Sequence, residues 1–188
     1  MPGLSALLLA PEQAEAIEVP GRTHAAVLVP LFSVAGELHA VFTRRRADLR
    51  HHAGQISFPG GRRDPGDQSL AHTALREARE EIGLESSGVE LLGALQPTPT
   101  IATDFAVYPF VGMIDAGLTW LPSATEVDAV LELSLDELRS GYERRTLTRR
   151  GLSFRTDVYV AEEHVIWGAT ARILQDLFQR LDAAALRC

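Results

Sequence analysis

Cysteine is nearly missing from this chain of 188 residues: the one present, Cys188, is the last residue. No internal disulfide can form, and a reducing cytoplasm is the expected setting. Lysine is absent, so all 18 basic residues are arginine, and aromatic residues make up only 6%. No apolar run approaches the roughly 18 residues of a membrane-spanning helix. An excess of positive charge is lacking as well. The net charge of −7 argues against a general nucleic-acid surface, because nonspecific binding to phosphates needs a surplus of cations. Near the start, "LSALLLA" (4–10) has no preceding basic residue and runs into "PEQAEAIE". It reads as a surface helix or strap rather than a secretion signal. Cys188 is placed too late to begin a four-residue prenylation box.

What is there is ordinary for a globular protein, with 46% hydrophobic and 23% charged residues. The length suits one domain spanning 1–188, with a strap over about 1–20 and a core over about 21–188. The arginines cluster at Arg44, Arg45, Arg46, Arg50, Arg62 and Arg63, then at Arg144, Arg145, Arg149 and Arg150. An acidic chain with a local arginine patch suits a small anionic ligand better than a long polyanion. Runs 23–34 and 37–45 read as a hairpin, 55–61 as a short strand entering a glycine turn, and 89–97 and 105–114 as further strands. Residues 125–141 read as a loop, a strand and a helix, 152–168 as a hairpin, and 169–186 as an amphipathic closing helix. Strands and helices interleave without strict alternation, which predicts a mixed sheet between helices, an α/β/α sandwich.

The most informative stretch begins at Ser69: residues 69–82 read as a helix, with Ser69 as N-cap and Gly83 as C-terminal stop. At about 100° per residue, Ala71, Ala74, Leu75, Ala78 and Ile82 form one apolar stripe. Glu77, Glu80 and Glu81 form a separate face at spacing i, i+3, i+4. These carboxylates sit near the helix C-terminus, where the macrodipole disfavours negative charge, and they repel one another. A hard divalent cation such as Mg²⁺ or Mn²⁺ would turn that repulsion into ligation. Immediately upstream, Gly60 and Gly61 let backbone approach a ligand closely.

"GGRRDPGD…REAREEIGL" (60–84) resembles the signature of the Nudix hydrolases. Arg76 to Leu84 fits throughout; Asp67 stands for the usual Glu, and one extra residue lies between it and Arg76. Upstream, "FTRRRADLRHHAGQISFPGG" (42–61) is similar to the motif that precedes this box in coenzyme A pyrophosphatases. Thr43, Arg45, Arg50, Gly54, Phe58, Pro59, Gly60 and Gly61 fall in place, whereas Phe42 and Arg46 depart from it. "YPFVGMI" and "VIWGATARIL" resemble later segments of that subfamily, so the likeness covers about 24–175.

The resemblance implies a Nudix-type α/β/α sandwich and metal-dependent hydrolysis of the pyrophosphate of coenzyme A and its thioesters. The products would be 3′,5′-ADP and 4′-phosphopantetheine or its acyl form. Following the family pattern, Glu77 and Glu81 are the expected primary ligands of Mg²⁺ or Mn²⁺. Glu80 is a third, joined by the Gly60 carbonyl, and Arg76 orients the glutamates. The general base is expected at Glu126 or Glu80, with Asp104 and Asp128 as weaker candidates. Arg45 and Arg50 are expected to hold the substrate's phosphates, assisted by His52, with Gly60 and Gly61 lining the same site. The partner is then a small molecule, with no nucleic acid and no membrane; a homodimer is compatible with the sequence, which leaves the oligomeric state open. Two alternatives stay open: a pyrophosphatase for ADP-ribose or NADH, and a catalytically silent Nudix domain that binds a ligand.

Overall fold

The computed structural model describes residues 2–21, 23–48, 54–100, 104–149 and 151–185. The chain begins with two short helices, Pro2–Ser5 (α1) and Pro11–Glu15 (α2). Strands Thr23–Val34 (β1) and Glu37–Arg45 (β2) form the predicted hairpin, turning at Ala35–Gly36, both at positive φ. Ile56–Ser57 (β3) and Gly60–Arg62 (β4) precede the helix Leu70–Ile82 (α3). After a 3₁₀ turn at Ser86–Gly88 come Glu90–Ala94 (β5), Thr98–Pro99 (β6), Phe105–Met113 (β7) and Val127–Ser134 (β8). Leu135–Ser140 (α4), Tyr142–Arg149 (β9), Leu152–Ala161 (β10), His164–Trp167 (β11) and Ala169–Ala185 (α5) complete the order.

The main sheet runs β3-β2-β1-β7-β5, with β4 and β6 paired to β1 and β7 and β8 paired to β2. It is mixed: β1 and β7 are parallel from Thr23↔Phe105 to Leu31↔Met113, and the other pairs are antiparallel. β1 and β7 are apolar nearly throughout because both of their faces are covered. Ala25, Val29 and Leu31 point to one cluster with α4 and α5, while Ala26, Leu28 and Phe32 point to another under α3. The predicted sandwich is therefore observed.

With β7 filling one side of β1, the other side is shared: β4 pairs with Ala25–Val27 and β2 with Leu31–Val34. This split sets the Gly60–Gly61 bend into the edge of the sheet beneath α3. A side chain at Gly60 would run into the Ala26 carbonyl and Val27, so the pairing requires glycine there.

The structure departs from the sequence reading in two ways. A second antiparallel sheet, β11-β10-β9, stands apart from the main one; the expected 152–168 hairpin is present, and β9 adds a third strand to it. The N-terminal strap is also more deeply seated than a surface element. Leu4 and Ala14 are buried, Leu9 bridges to Ala94, and the Tyr108 hydroxyl donates to the Ile17 carbonyl at 3.1 Å. No helix among the described residues is long and apolar enough to cross a membrane.

Candidate active site

Helix α3 is fixed at both ends. Ser69 Oγ accepts the His72 N–H at 3.0 Å as N-cap. The Glu15 carboxylate, reaching in from α2, accepts from Leu70 and Ala71 N–H at 2.9 and 3.3 Å, a favourable charge at a helix N-terminus. Gly83 ends the helix at φ 74°, a left-handed position that glycine takes without a Cβ penalty. The same missing Cβ admits Leu121, which would otherwise lie 2.8 Å from it.

Within this frame Asp67 is buried and holds Arg76 in two parallel bonds, Nε to Oδ1 and Nη2 to Oδ2, each 3.0 Å. Thr73 Oγ1 and the Asp64 N–H also donate to Asp67, both at 2.9 Å. The Arg76 guanidinium beside it holds the Asp67 carboxyl well below the usual carboxylate range, against the opposing effect of burial. From that anchored position Arg76 Nη1 reaches Glu77 at 2.9 Å and Glu80 at 3.0 Å.

The predicted carboxylates divide. Glu81 is only 4% exposed. Its Oε2 accepts the Gly60 N–H at 3.1 Å, and Oε1 lies 3.7 Å from Arg45 Nη1. Burial pushes its carboxyl up to about 7; the Gly60 N–H and Arg45 pull it down, while Glu77 and Glu126 add like charge. The Glu77 carboxylate lies against Gly61, where a Cβ would overlap it. Burial raises Glu77 too, opposed by Arg76. Glu80 is half exposed and held by Arg76. Glu81 thus belongs to the covered flank of the helix and not to a solvated acidic face, because the β4 bend closes over it.

Glu126, in the loop before β8, is brought to the same place: its Oε2 lies 3.8 Å from Arg45 Nη1. Arg45 therefore bridges Glu81 and Glu126. Of the weaker base candidates, Asp128 accepts Arg44 Nε at 2.7 Å, and Asp104 lies at positive φ beside β7. Arg50 and His52 lie outside the described residues. Trp167 is half-buried, its ring 5.9 Å from that of Phe154. A cavity of about 470 Å³ between the strap and Tyr108 is lined by Glu15, Glu18 and His24 but by none of Glu77, Glu81 or Glu126.

The donor set fits a hard divalent cation. Two desolvated carboxylates, Glu77 and Glu81, face one bend, each in a setting that disfavours its charge and each repelling the other. As the side chains lie, Arg76 engages Glu77 and Glu80, and among the described residues no three acidic, histidine or cysteine groups converge closely enough to hold an ion.

Sequence reasoning missed Glu15, 55 residues from the amide that it caps. It also missed the docking of the loop before β8 onto the end of α3, where Leu121 and Ser123 N–H donate to the Ile82 and Glu81 carbonyls at 3.0 and 2.9 Å. The unpaired carbonyls at a helix end are the one local signal for such a partner.

The model of the NUDIX domain matches residues 22–151. A protein of Photorhabdus laumondii subsp. laumondii named Uncharacterized Nudix hydrolase NudL is 40% identical over 160 residues, 84% of each chain. In fold, the chain resembles a MutT/nudix family protein from Enterococcus faecalis at TM-score 0.59 and 17% identity, over 92% of this chain and 66% of that one. It also resembles the MutT protein of Methanosarcina mazei Go1 at TM-score 0.55 and 20% identity, over 89% and 97% of the two chains. The matched stretch carries the Gly60–Gly61 bend, α3 and Glu126, and the chain belongs to the Nudix hydrolase family.

Proposed function

We propose that this Nudix hydrolase uses Mg²⁺ or Mn²⁺ to split the pyrophosphate of coenzyme A and its thioesters, releasing 3′,5′-ADP and 4′-phosphopantetheine or its acyl form. The observation that carries the reading is the meeting of Glu77 and Glu81 at the Gly60–Gly61 bend, with Arg45 and Glu126 facing them. The coenzyme A specificity rests on the resemblance of 42–61 to the subfamily motif. The chain acts as one domain in the cytoplasm.

A divalent ion bound by Glu77 and Glu81, with Glu80 as a third ligand, would neutralise phosphoryl oxygens and acidify a water. The chain's own residues do the rest. Gly60 lets β4 lie tight on β1, and Gly61 leaves room for the Glu77 carboxylate, which together hold both acids at one bend. Arg45, which lies between Glu81 and Glu126, offers its guanidinium to a phosphate brought to the bend. Glu126, half exposed, accepts the proton of the attacking water as general base. Arg50 and His52, which lie outside the described residues, are assigned to the same anion by the resemblance alone.

The silent ligand-binding reading draws on one specific observation, the hold of Arg76 on Glu77 and Glu80. One experiment separates the readings. The protein is incubated with Mg²⁺ and, separately, coenzyme A, ADP-ribose and NADH, and the products are identified by mass. The expected result is cleavage of coenzyme A in preference to the others. Cleavage of ADP-ribose or NADH alone would move the specificity, and cleavage of none by folded protein would leave a binding domain.

A further inference from the structure

Three consecutive arginines leave β2 in three directions because the β2–β8 register shifts between Arg44 and Arg45; a bulge re-aims the side chains that follow it. Arg44 goes to Asp128, and Arg45 goes to Glu81 and Glu126. Arg46 turns to the loop that carries Glu126. Its backbone N–H donates to the Glu126 carbonyl at 3.0 Å, and its Nη1 donates to the Ala124 carbonyl at 2.7 Å. The same guanidinium is locked by Asp48, through Nε at 3.0 Å and Nη2 at 2.8 Å.

The loop needs such a hold. After Ser123 is tied to the end of α3, the chain reverses within a few residues to enter β8. Glu126 and Val127 N–H both use the Ser123 carbonyl, at 3.1 and 2.9 Å. That leaves the outward carbonyls of the turn, and Arg46 takes the ones on either side of Thr125. The side chain is substantially exposed and so is its Asp48 partner. An exposed ion pair of this kind contributes little to global stability, whereas the carbonyl it holds is two residues from the acid facing the site.

We propose that Arg46 is a positioning residue: it fixes the 124–126 turn so that the Glu126 carboxylate stays beside Arg45 and Glu81 when a ligand occupies the site. The inference rests on Glu126 acting as general base. Without the guanidinium the turn keeps its backbone bonds to α3 but gains freedom at its tip. A base displaced by even an ångström loses much of its effect.

The test uses the full chain as wild type, Arg46→Ala, Arg46→Lys, Glu126→Gln and the Arg46→Ala/Glu126→Gln double variant. Amide exchange across 121–130 is followed by mass spectrometry, and turnover is measured on the substrate that the product panel identifies. Arg46→Ala is expected to speed exchange in that segment with an unchanged Tm. It should lower kcat about ten-fold while KM stays within about two-fold. Arg46→Lys, with one donor for Ala124, should recover part of the loss, and the double variant should be no slower than Glu126→Gln alone. Unchanged exchange in Arg46→Ala overturns the proposal, whatever the substrate. A multiplied loss in the double variant, or a loss confined to KM, also overturns it while leaving the base reading intact. A fully active Glu126→Gln removes the base reading and the proposal together.

Discussion

A Cβ on Gly61 would land on the Glu77 carboxylate, so the side chain of a proposed ligand occupies space that the sequence leaves empty. Gly61→Ala is expected to push Glu77 off the bend and lower kcat/KM by at least about ten-fold, since misplaced catalytic groups are costly. The Tm should hardly move, and an unchanged kcat/KM would show that the contact is incidental. At this scale the sequence was legible where a residue's role is local: Ser69 caps α3 and Gly83 ends it as read. It was less so where the role depends on what covers a flank. Helical spacing placed Glu81 on an acidic face, but spacing gives angles around an axis and does not tell which angle β4 will close over. Arg46, visible in the sequence only as a departure from a motif, meets a carbonyl 78 residues away, and no local pattern announces that.

Among the elements, α3 lies close to the sheet because Ala74 and Ala78 are fully buried there. Ala78→Leu should overpack this layer at a cost of about 1–3 kcal/mol, measured by urea unfolding. It should also depress activity, since Glu77 and Glu81 ride on the same turn. Full stability in this variant would mean that α3 has slack the structure does not show. The strands with apolar patterns, β1, β2 and β7, were readable from sequence with bounds close to those observed. β9 was not: "YERRTLTR" is mostly exposed, so no buried face imposes an alternation on it. Its partner β10 supplies the register instead.

For the whole molecule, the buried acid makes stability depend on pH. Glu81 titrates from an ordinary 4.5 in the unfolded chain to about 7 in the fold. The folded state therefore binds this proton more tightly, and the associated stability is complete below the unfolded value and lost as pH rises through the folded one. In a chelator, the wild-type Tm should fall between pH 5 and pH 8. Glu81→Gln, which has nothing to ionise, should melt at least about 3 °C above wild type at pH 8 and within about 1 °C of it at pH 5. A Tm difference independent of pH would contradict the burial of this carboxyl. Asp67, held low by Arg76, works in the opposite sense and on the acid side: its contribution is lost only as pH falls.

Glu77 and Glu81 cost the fold something as they stand, and the account holds that a divalent ion makes good the cost. Calorimetric titration of Mn²⁺ into the protein at pH 6.5, repeated in buffers of different ionisation enthalpy, tests this most directly. The account predicts saturable binding that releases up to about one proton per ion, because ligation needs Glu81 ionised, and binding that is lost in Glu81→Gln. Absence of saturable binding in the folded wild type, or equal binding in the variant, would contradict it.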